Sequence, residues 1–189
     1  MIDVAYPRLE TQRLLLLLPE PACAPRMVDY YRRNRDHLAP WEPRRSEEFL
    51  TEAWWERQLE ANRLEFQKGS GARLVLVARD HVQEPVLGVA NLSNIVRGTF
   101  QACHLGYSLD REHQGRGLMQ EALEALVTYA FEGLELHRVM ANYQPENVRS
   151  ARVLERLGFV REGYARNYLH IDGAWRDHVL TALVRDADP

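Results

Sequence analysis

The chain predicts an α/β (α+β) domain in which a mixed, mostly antiparallel sheet is flanked by helices. Three observations lead there. Strand-like and helix-like segments alternate along its 189 residues without internal repeats or low-complexity linkers. Three consecutive strand candidates in the middle are separated by the short turns Gln83-Glu84-Pro85 and Arg97-Gly98, which suggests an antiparallel meander. Two glycines, Gly115 and Gly117, stand where an alternating apolar run hands over to a long amphipathic one. The length suits one domain with a sizeable core.

In chain order, Arg13 to Leu18 reads as a strand closed by Pro19. Ala24 to Arg33 reads as a helix with Met27, Tyr30 and Tyr31 on one side. Glu47 to Lys68 reads as a longer helix, with Leu50, Trp54, Ala61 and Leu64 at helical spacing and Gly69 to stop it. Arg73 to Arg79, Val86 to Ile95 and Ala102 to Leu109 are the meander strands. The helix after Gly117 carries Leu118, Ala122, Ala125, Leu126 and Tyr129 along one face. A strand at His137 to Tyr143 leads into a short helix from Val148 to Leu157, with Asn147 placed to cap it and Gly158 suited to its left-handed end. Strands at Val160 to Ile171 and Trp175 to Val184 meet at Asp172-Gly173, a strong hairpin signal.

Bulk properties exclude several classes of function. A net charge of −3 gives no support for sequence-independent binding to nucleic acid. The longest apolar run, Leu14 to Leu18, is far short of a membrane span, and Asp3 and Pro7 interrupt any signal-peptide core. Two cysteines, Cys23 and Cys103, make no disulfide framework, so a cytoplasmic location is expected. The seven histidines show no paired ligand spacing, and no metal site is expected.

The chemistry concentrates at Gln114-Gly115-Arg116-Gly117-Leu118-Met119. Glycines at a strand-to-helix corner allow a tight turn and expose consecutive amides at a helix start, where unpaired N–H groups and the macrodipole favour anions. A Walker loop would need Lys-Ser/Thr where Leu118-Met119 stands, and a dinucleotide fingerprint would need a small residue at Gln120. The pattern fits a pyrophosphate cradle for coenzyme A.

Together with Asn147-Val148-Arg149-Ser150-Ala151 and Leu157-Gly158-Phe159, this loop resembles the GNAT acetyltransferases. The resemblance extends to the RimJ/RimL branch, which acetylates ribosomal-protein N-termini. It does so through Thr11-Gln12-Arg13-Leu14, Leu38-Ala39-Pro40-Trp41-Glu42-Pro43, Gly88-Val89-Ala90-Asn91 and Trp175-Arg176-Asp177-His178-Val179-Leu180, the last closest to the RimJ side. It spans residues 9–184 and implies a single GNAT domain whose sheet splays to form a V-shaped slot. It also implies acetyl-CoA as acyl donor, held by the backbone of the family's fourth strand (here Tyr107, Ser108 and Leu109). The pyrophosphate would rest on Gln114, Gly115, Arg116, Gly117, Leu118 and Met119, with Asn147 and Ser150 alongside. Taken alone, Asn147 reads as a simple cap ahead of a ligand contact, and Arg116 reads at least as well as a solvated surface arginine.

The implied reaction is direct acetyl transfer to an amine. It needs near-attack contact, oxyanion stabilisation and a proton for the leaving thiolate. A peptide α-amine, with a pKa of about 8, is an easier acceptor than lysine at about 10.4. Ser150 matches the branch's candidate thiolate protonator, while the tyrosine some members carry seven positions after the capping asparagine is Leu154 here. Asn142 is placed to hold a catalytic water. His104 occupies the place of the family's strand carboxylate, either as base or as a histidine on the sheet's other face. Cys103 raises a ping-pong route through an acetyl-cysteine, ranked well below direct transfer because a buried thiol is usually inert. Trp41 and Asn91 are expected on the acceptor side, with Tyr164 and Tyr168 as further candidates by placement. Trp54 and Trp55 are expected to pack the core.

The expected activity is therefore acetylation of the N-terminal α-amine of a ribosomal protein, at alanine, with no nucleic-acid site and no membrane role. Two alternatives stay open: a small-molecule amine or antibiotic acetyltransferase on the same scaffold, and a non-catalytic CoA-binding module associated with the ribosome.

Overall fold

A computed structural model of the protein describes residues 6–185. A short strand, β1 (Arg8–Glu10), precedes β2 (Leu14–Leu17). Then come α1 (Ala24–Arg33), α2 (Arg35–Leu38), α3 (Glu52–Gln67) and the strands β3 (Ala72–Ala78), β4 (Gly88–Val96) and β5 (Ala102–Leu109). The chain continues through α4 (Leu118–Thr128), β6 (Arg138–Tyr143), α5 (Val148–Arg156), β7 (Val160–Ile171) and β8 (Ala174–Val184). The eight strands form one sheet in the order β1-β2-β3-β4-β5-β6-β8-β7.

Side-chain alternation along the strands builds a layer on each face of this sheet. Leu14 and Leu16 of β2, Leu74 and Leu76 of β3 and Ala90 and Leu92 of β4 pack with Leu118, Ala122, Leu123 and Leu126 of α4. Val75 and Val89 face the other way, onto Met27 and Tyr30 of α1 and Trp55 and Leu59 of α3. The unbroken leucine run of β2 follows from this: Leu14, Leu15 and Leu16 are all buried because both faces are covered.

The meander is as expected: β3, β4 and β5 pair consecutively and antiparallel. The break comes between β5 and β6. They run parallel and pair only at Ala102 with Arg138, Cys103 with Val139 and His104 with Met140. Beyond His104, β5 continues to Leu109 against β4 alone, while β6 continues to Tyr143 against β8 alone. The expected V-shaped slot lies between them.

Several expectations need correction. The helix expected from Glu47 is two pieces, a 3-10 turn at Glu47–Leu50 and then α3, because Thr51 turns extended and caps α3 by accepting the Trp54 amide. Its buried face is Trp55, Leu59, Asn62 and Phe66, rotated away from the expected stripe, and Leu64 is exposed. The amphipathic run after Gly117 leaves the α-helix at Thr128 and closes in a π-turn over Tyr129–Gly133. Because β1 precedes β2, the segment ending Tyr107-Ser108-Leu109 is the fifth strand rather than the fourth. The hairpin at Asp172-Gly173 holds, with φ of 46° and 76° suiting a tight primed turn.

Candidate active site

The slot opens into a cavity of about 690 Å³. One wall is the unpaired end of β5, with Tyr107, Ser108 and Leu109. The floor is the loop and first turn of α4, with Gln114, Gly115, Gly117, Leu118 and Met119. The opposite wall is α5, from Asn147 through Ser150 to Arg156, and the loop His37 to Glu42 lies above.

The floor is shaped by backbone conformation. Gly115 and Gly117 have φ of 74° and 75°, a left-handed geometry that costs a non-glycine residue about 1 kcal/mol or more. Gly117 caps α4, whose first internal bond runs from the Glu121 amide to the Gly117 carbonyl at 3.1 Å. The amides before it have no intrahelical acceptor, an arrangement that favours an anion. Arg13 clamps the loop from outside, donating to the Arg116 carbonyl at 2.9 Å and to Glu121 at 2.7 Å. The Arg116 side chain is exposed and outside the cavity wall.

Behind the floor sits Asp110. Burial works against its carboxylate, but hydrogen bonds from Asn34, the Glu112 amide and His113, with the Arg33 charge, outweigh it and hold its pKa below the usual value. His37 accepts from Gln114 Nε2 at 2.7 Å, and burial, then Arg149, hold its pKa below the ordinary histidine value. A neutral imidazole is the form that can accept there.

Across the slot, Tyr107 Oη lies 2.7 Å from Ser150 Oγ. This hydroxyl pair spans the gap between β5 and α5. Burial pushes the Tyr107 phenol up to about 12, so it stays protonated. Ser150 is placed by Asn147, whose side chain accepts the Ser150 amide at 3.1 Å; the cap reading of Asn147 holds, and its side chain lines the cavity as well.

Among the other residues singled out, Trp41 lines the cavity. Asn142 donates from Nδ2 to Tyr168 Oη at 3.2 Å, joining β6 to β7, and its Oδ1 accepts the Thr181 amide at 3.4 Å. Asn91 lines a separate chamber of about 280 Å³ between α3 and the sheet, together with Trp54 and Trp55. Tyr164 is exposed and donates to Asp177 at 2.7 Å. His104 stands at the apex of the V in the last β5–β6 pair, outside the cavity wall; burial lowers its pKa, and Nδ1 is buried without a partner. Cys103 packs into the core beneath α4, and burial pushes its thiol up to about 12, which removes the thiolate a ping-pong route needs.

The sequence left four features of the wall unassigned. Arg149, Arg152 and Arg156 recur at helical spacing along the cavity side of α5. Their i, i+3, i+7 pattern was visible, but nothing in the sequence placed it on the slot. Glu42 also lines the cavity, and burial raises its carboxyl pKa against the pull of Arg45. His37 reached the site through α2, an element too short to show a period. The Tyr107 hydroxyl needed the fold, because its partner is 43 residues away.

This chemistry suits an acyl-CoA thioester: an open strand edge for an amide-bearing arm, amides and arginines for phosphates, and hydroxyls at the end of the slot. Comparison with known proteins agrees. Residues 13–160 match the acetyltransferase (GNAT) domain family. The chain is 49% identical over 181 residues to the ribosomal protein uS5-alanine N-acetyltransferase of Escherichia coli (strain K12), covering 96% of this chain and 92% of that protein. The solved ribosomal-protein-S5-alanine acetyltransferase from Vibrio fischeri superposes with a TM-score of 0.90 at 40% identity, covering 95% of this chain and 97% of that one. The Mycobacterium smegmatis RimJ complex with CoA-disulfide does so with 0.86 at 26%, covering 96% and 87%. Splayed sheet, glycine floor and matched family model converge, and the chain belongs to the GNAT family of acetyltransferases.

Proposed function

We propose that the protein transfers acetyl from acetyl-CoA to the N-terminal α-amine of a ribosomal protein beginning with alanine, in one direct step within a ternary complex. The observation that carries the reading is the 49% identity, along nearly the whole chain, to an enzyme named for that reaction, combined with a cavity built for its donor. Residues 9–184 act as one catalytic domain. The absence of a membrane-spanning helix among the described residues is compatible with work in the cytoplasm, where ribosomal proteins are made.

The residues divide the labour by position. Backbone of Tyr107, Ser108 and Leu109 holds the pantetheine arm, and amides from Gln114 to Met119 hold the pyrophosphate, with Arg149, Arg152 and Arg156 adding positive charge. Acetyl-CoA supplies the activated carbonyl and the thiolate leaving group. Ser150 gives its proton to that sulfur and is resupplied through Tyr107. Trp41 bounds the acceptor entrance, and Asn142 with Tyr168 fixes the strand beside it. Direct transfer is favoured over an acetyl-enzyme because Cys103 faces the core.

The test is thiol release from acetyl-CoA against peptides that vary the first residue among Ala, Ser and Met. An N-blocked peptide with an internal lysine and a set of small amines complete the panel, and mass spectrometry locates the acetyl group. Turnover confined to free-amine alanine peptides is expected. Activity on small amines alone, or cofactor binding without turnover, would overturn the reading.

A further inference from the structure

The loop over the slot is pinned at two points. Gln144, at the end of β6, donates from Nε2 to the Pro40 carbonyl at 3.0 Å. The Asp172 amide, at the tip of the β7–β8 hairpin, donates to the Glu42 carbonyl at 3.0 Å. These bonds fasten Ala39 to Glu42 across the wide end of the V, between the half ending in β5 and the half carrying β6 and β8.

The cavity wall contains two acids, Glu42 and Glu146. Glu146 is exposed. The Glu42 side chain is 19% exposed and held in place by Arg45 at 3.3 Å. It lies within electrostatic reach of Tyr30, whose hydroxyl meets Ser108 Oγ on β5 at 2.9 Å. A carboxylate therefore lines the cavity that also holds the Tyr107–Ser150 pair, with its backbone fixed.

We propose that Glu42 receives the acceptor's N-terminal ammonium and takes its proton, leaving the neutral amine to attack. This rests on the acyltransfer reading above. The step balances. The ammonium gives one proton to the Glu42 carboxylate, the nitrogen lone pair forms the C–N bond, and the C–S bond breaks as the oxyanion collapses. A second nitrogen proton replaces the one Ser150 delivers to the thiolate, the third remains on the amide, and Glu42 returns its proton to solvent. Arg45 is the nearest positive group and orients the carboxylate. The groups facing it from other elements are Tyr30 and Tyr31 of α1, the Asp172–Arg44 pair at the hairpin tip, and His37, Glu146 and Arg149 across the cavity. Arg45 is the ion-pair partner of the Glu42 carboxylate. Burial makes it a stronger base than a free glutamate, which suits proton removal from an amine.

Two measurements test this on the full chain with an alanine-initiated peptide. In the unmodified protein, kcat/KM for the peptide is expected not to rise as the peptide amine, of pKa about 8, loses its proton, because the ammonium form binds productively. A limb that rises with loss of the peptide's own amine proton would overturn the proposal. In Glu42→Gln, kcat at pH 7 is expected to fall at least tenfold, with KM for acetyl-CoA unchanged, and the deficit is expected to shrink towards pH 9 as free amine accumulates. A deficit constant across pH would mark a packing role and overturn it. If the unmodified protein turns over no free-amine peptide, the acyltransfer reading fails instead, which is a separate result.

Discussion

The hydroxyl pair is the smallest unit that separates this site from the tyrosine-bearing pattern. Where other members place a tyrosine on the helix, Leu154 is buried at 1% exposure and cannot deliver a proton, whereas Tyr107 reaches the same slot from β5. Tyr107→Phe keeps the ring against the core and deletes one hydrogen bond, about 1 kcal/mol, so kcat is expected to fall about fivefold. KM for acetyl-CoA should stay put, since the cofactor contacts assigned to Tyr107 are backbone. Ser150→Ala removes the donor itself and is expected to cost about a hundredfold in kcat. Steady-state kinetics on both variants and the double variant check this. If the two hydroxyls work as one relay, the double variant is no slower than Ser150→Ala, whereas independent roles would multiply. The Tyr107 phenol, at about 12, stays a donor across the working range, so neither variant should move the neutral part of the pH profile.

At the scale of elements, the glycine floor is a backbone device, and that can be tested apart from side-chain contact. A Cβ on Gly117 would meet Arg13 Nη2 at 3.6 Å, an ordinary contact, so Gly117→Ala acts through its left-handed φ. The strain of about 1 kcal/mol corresponds to a melting temperature lower by roughly 2–4 °C for a chain this size. KM for acetyl-CoA is expected to rise several-fold as the amides lose their alignment. Gly69, at φ 69° with open space around it, supplies the control: Gly69→Ala should lose similar stability with no change in KM. Such loops are also what the sequence states most clearly. Gly115, Gly117, Gly158 and Asp172-Gly173 each announced a turn that the structure contains, because a positive φ leaves few residue choices. Asn147 was legible for a similar reason, as a cap acts over three residues. Periodicity served less well in α3, where apolar residues on two faces let Leu64 pass for a buried position while Asn62 took the core side. Glu42, His37 and the Tyr107–Ser150 pair come from separate elements that meet at the slot, and local pattern carries no trace of such a meeting.

At the scale of the whole molecule, one buried carboxylate joins the helical layer to the catalytic floor. Asp110 is 2% exposed and directly follows β5, where it accepts from Asn34 Nδ2 at 3.0 Å and the Glu112 amide at 2.9 Å, and pairs with Arg33 of α1. Arg33 also donates to the Val86 carbonyl at 3.1 Å, and Asn34 Oδ1 accepts the Arg111 amide at 2.9 Å, so α1, the start of α2, the approach to β4 and the loop before Gly115 are tied through a single charge. Removing that charge leaves the part-covered Arg33 guanidinium paired with Asp29 alone and weakens the charge-assisted bonds from Asn34 and the Glu112 amide, and Asp110→Asn is expected to destabilise the fold by about 2 kcal/mol at pH 7. The sign of the pH dependence follows from the depressed carboxyl pKa. A group that is more acidic folded than unfolded contributes stability that is complete above its unfolded value, about 3.9, and that disappears as pH falls through the lower folded value. Urea unfolding at pH 7, 5 and 3 should therefore show the gap between the unmodified protein and Asp110→Asn at full size at pH 7 and 5 and narrowing by pH 3. A gap that stayed constant to pH 3 would assign the loss to altered packing, because only the ionised carboxylate distinguishes the two chains electrostatically. The same substitution should raise KM for acetyl-CoA at pH 7, since the loop proposed to cradle the phosphates is held from behind by the charge that holds α1.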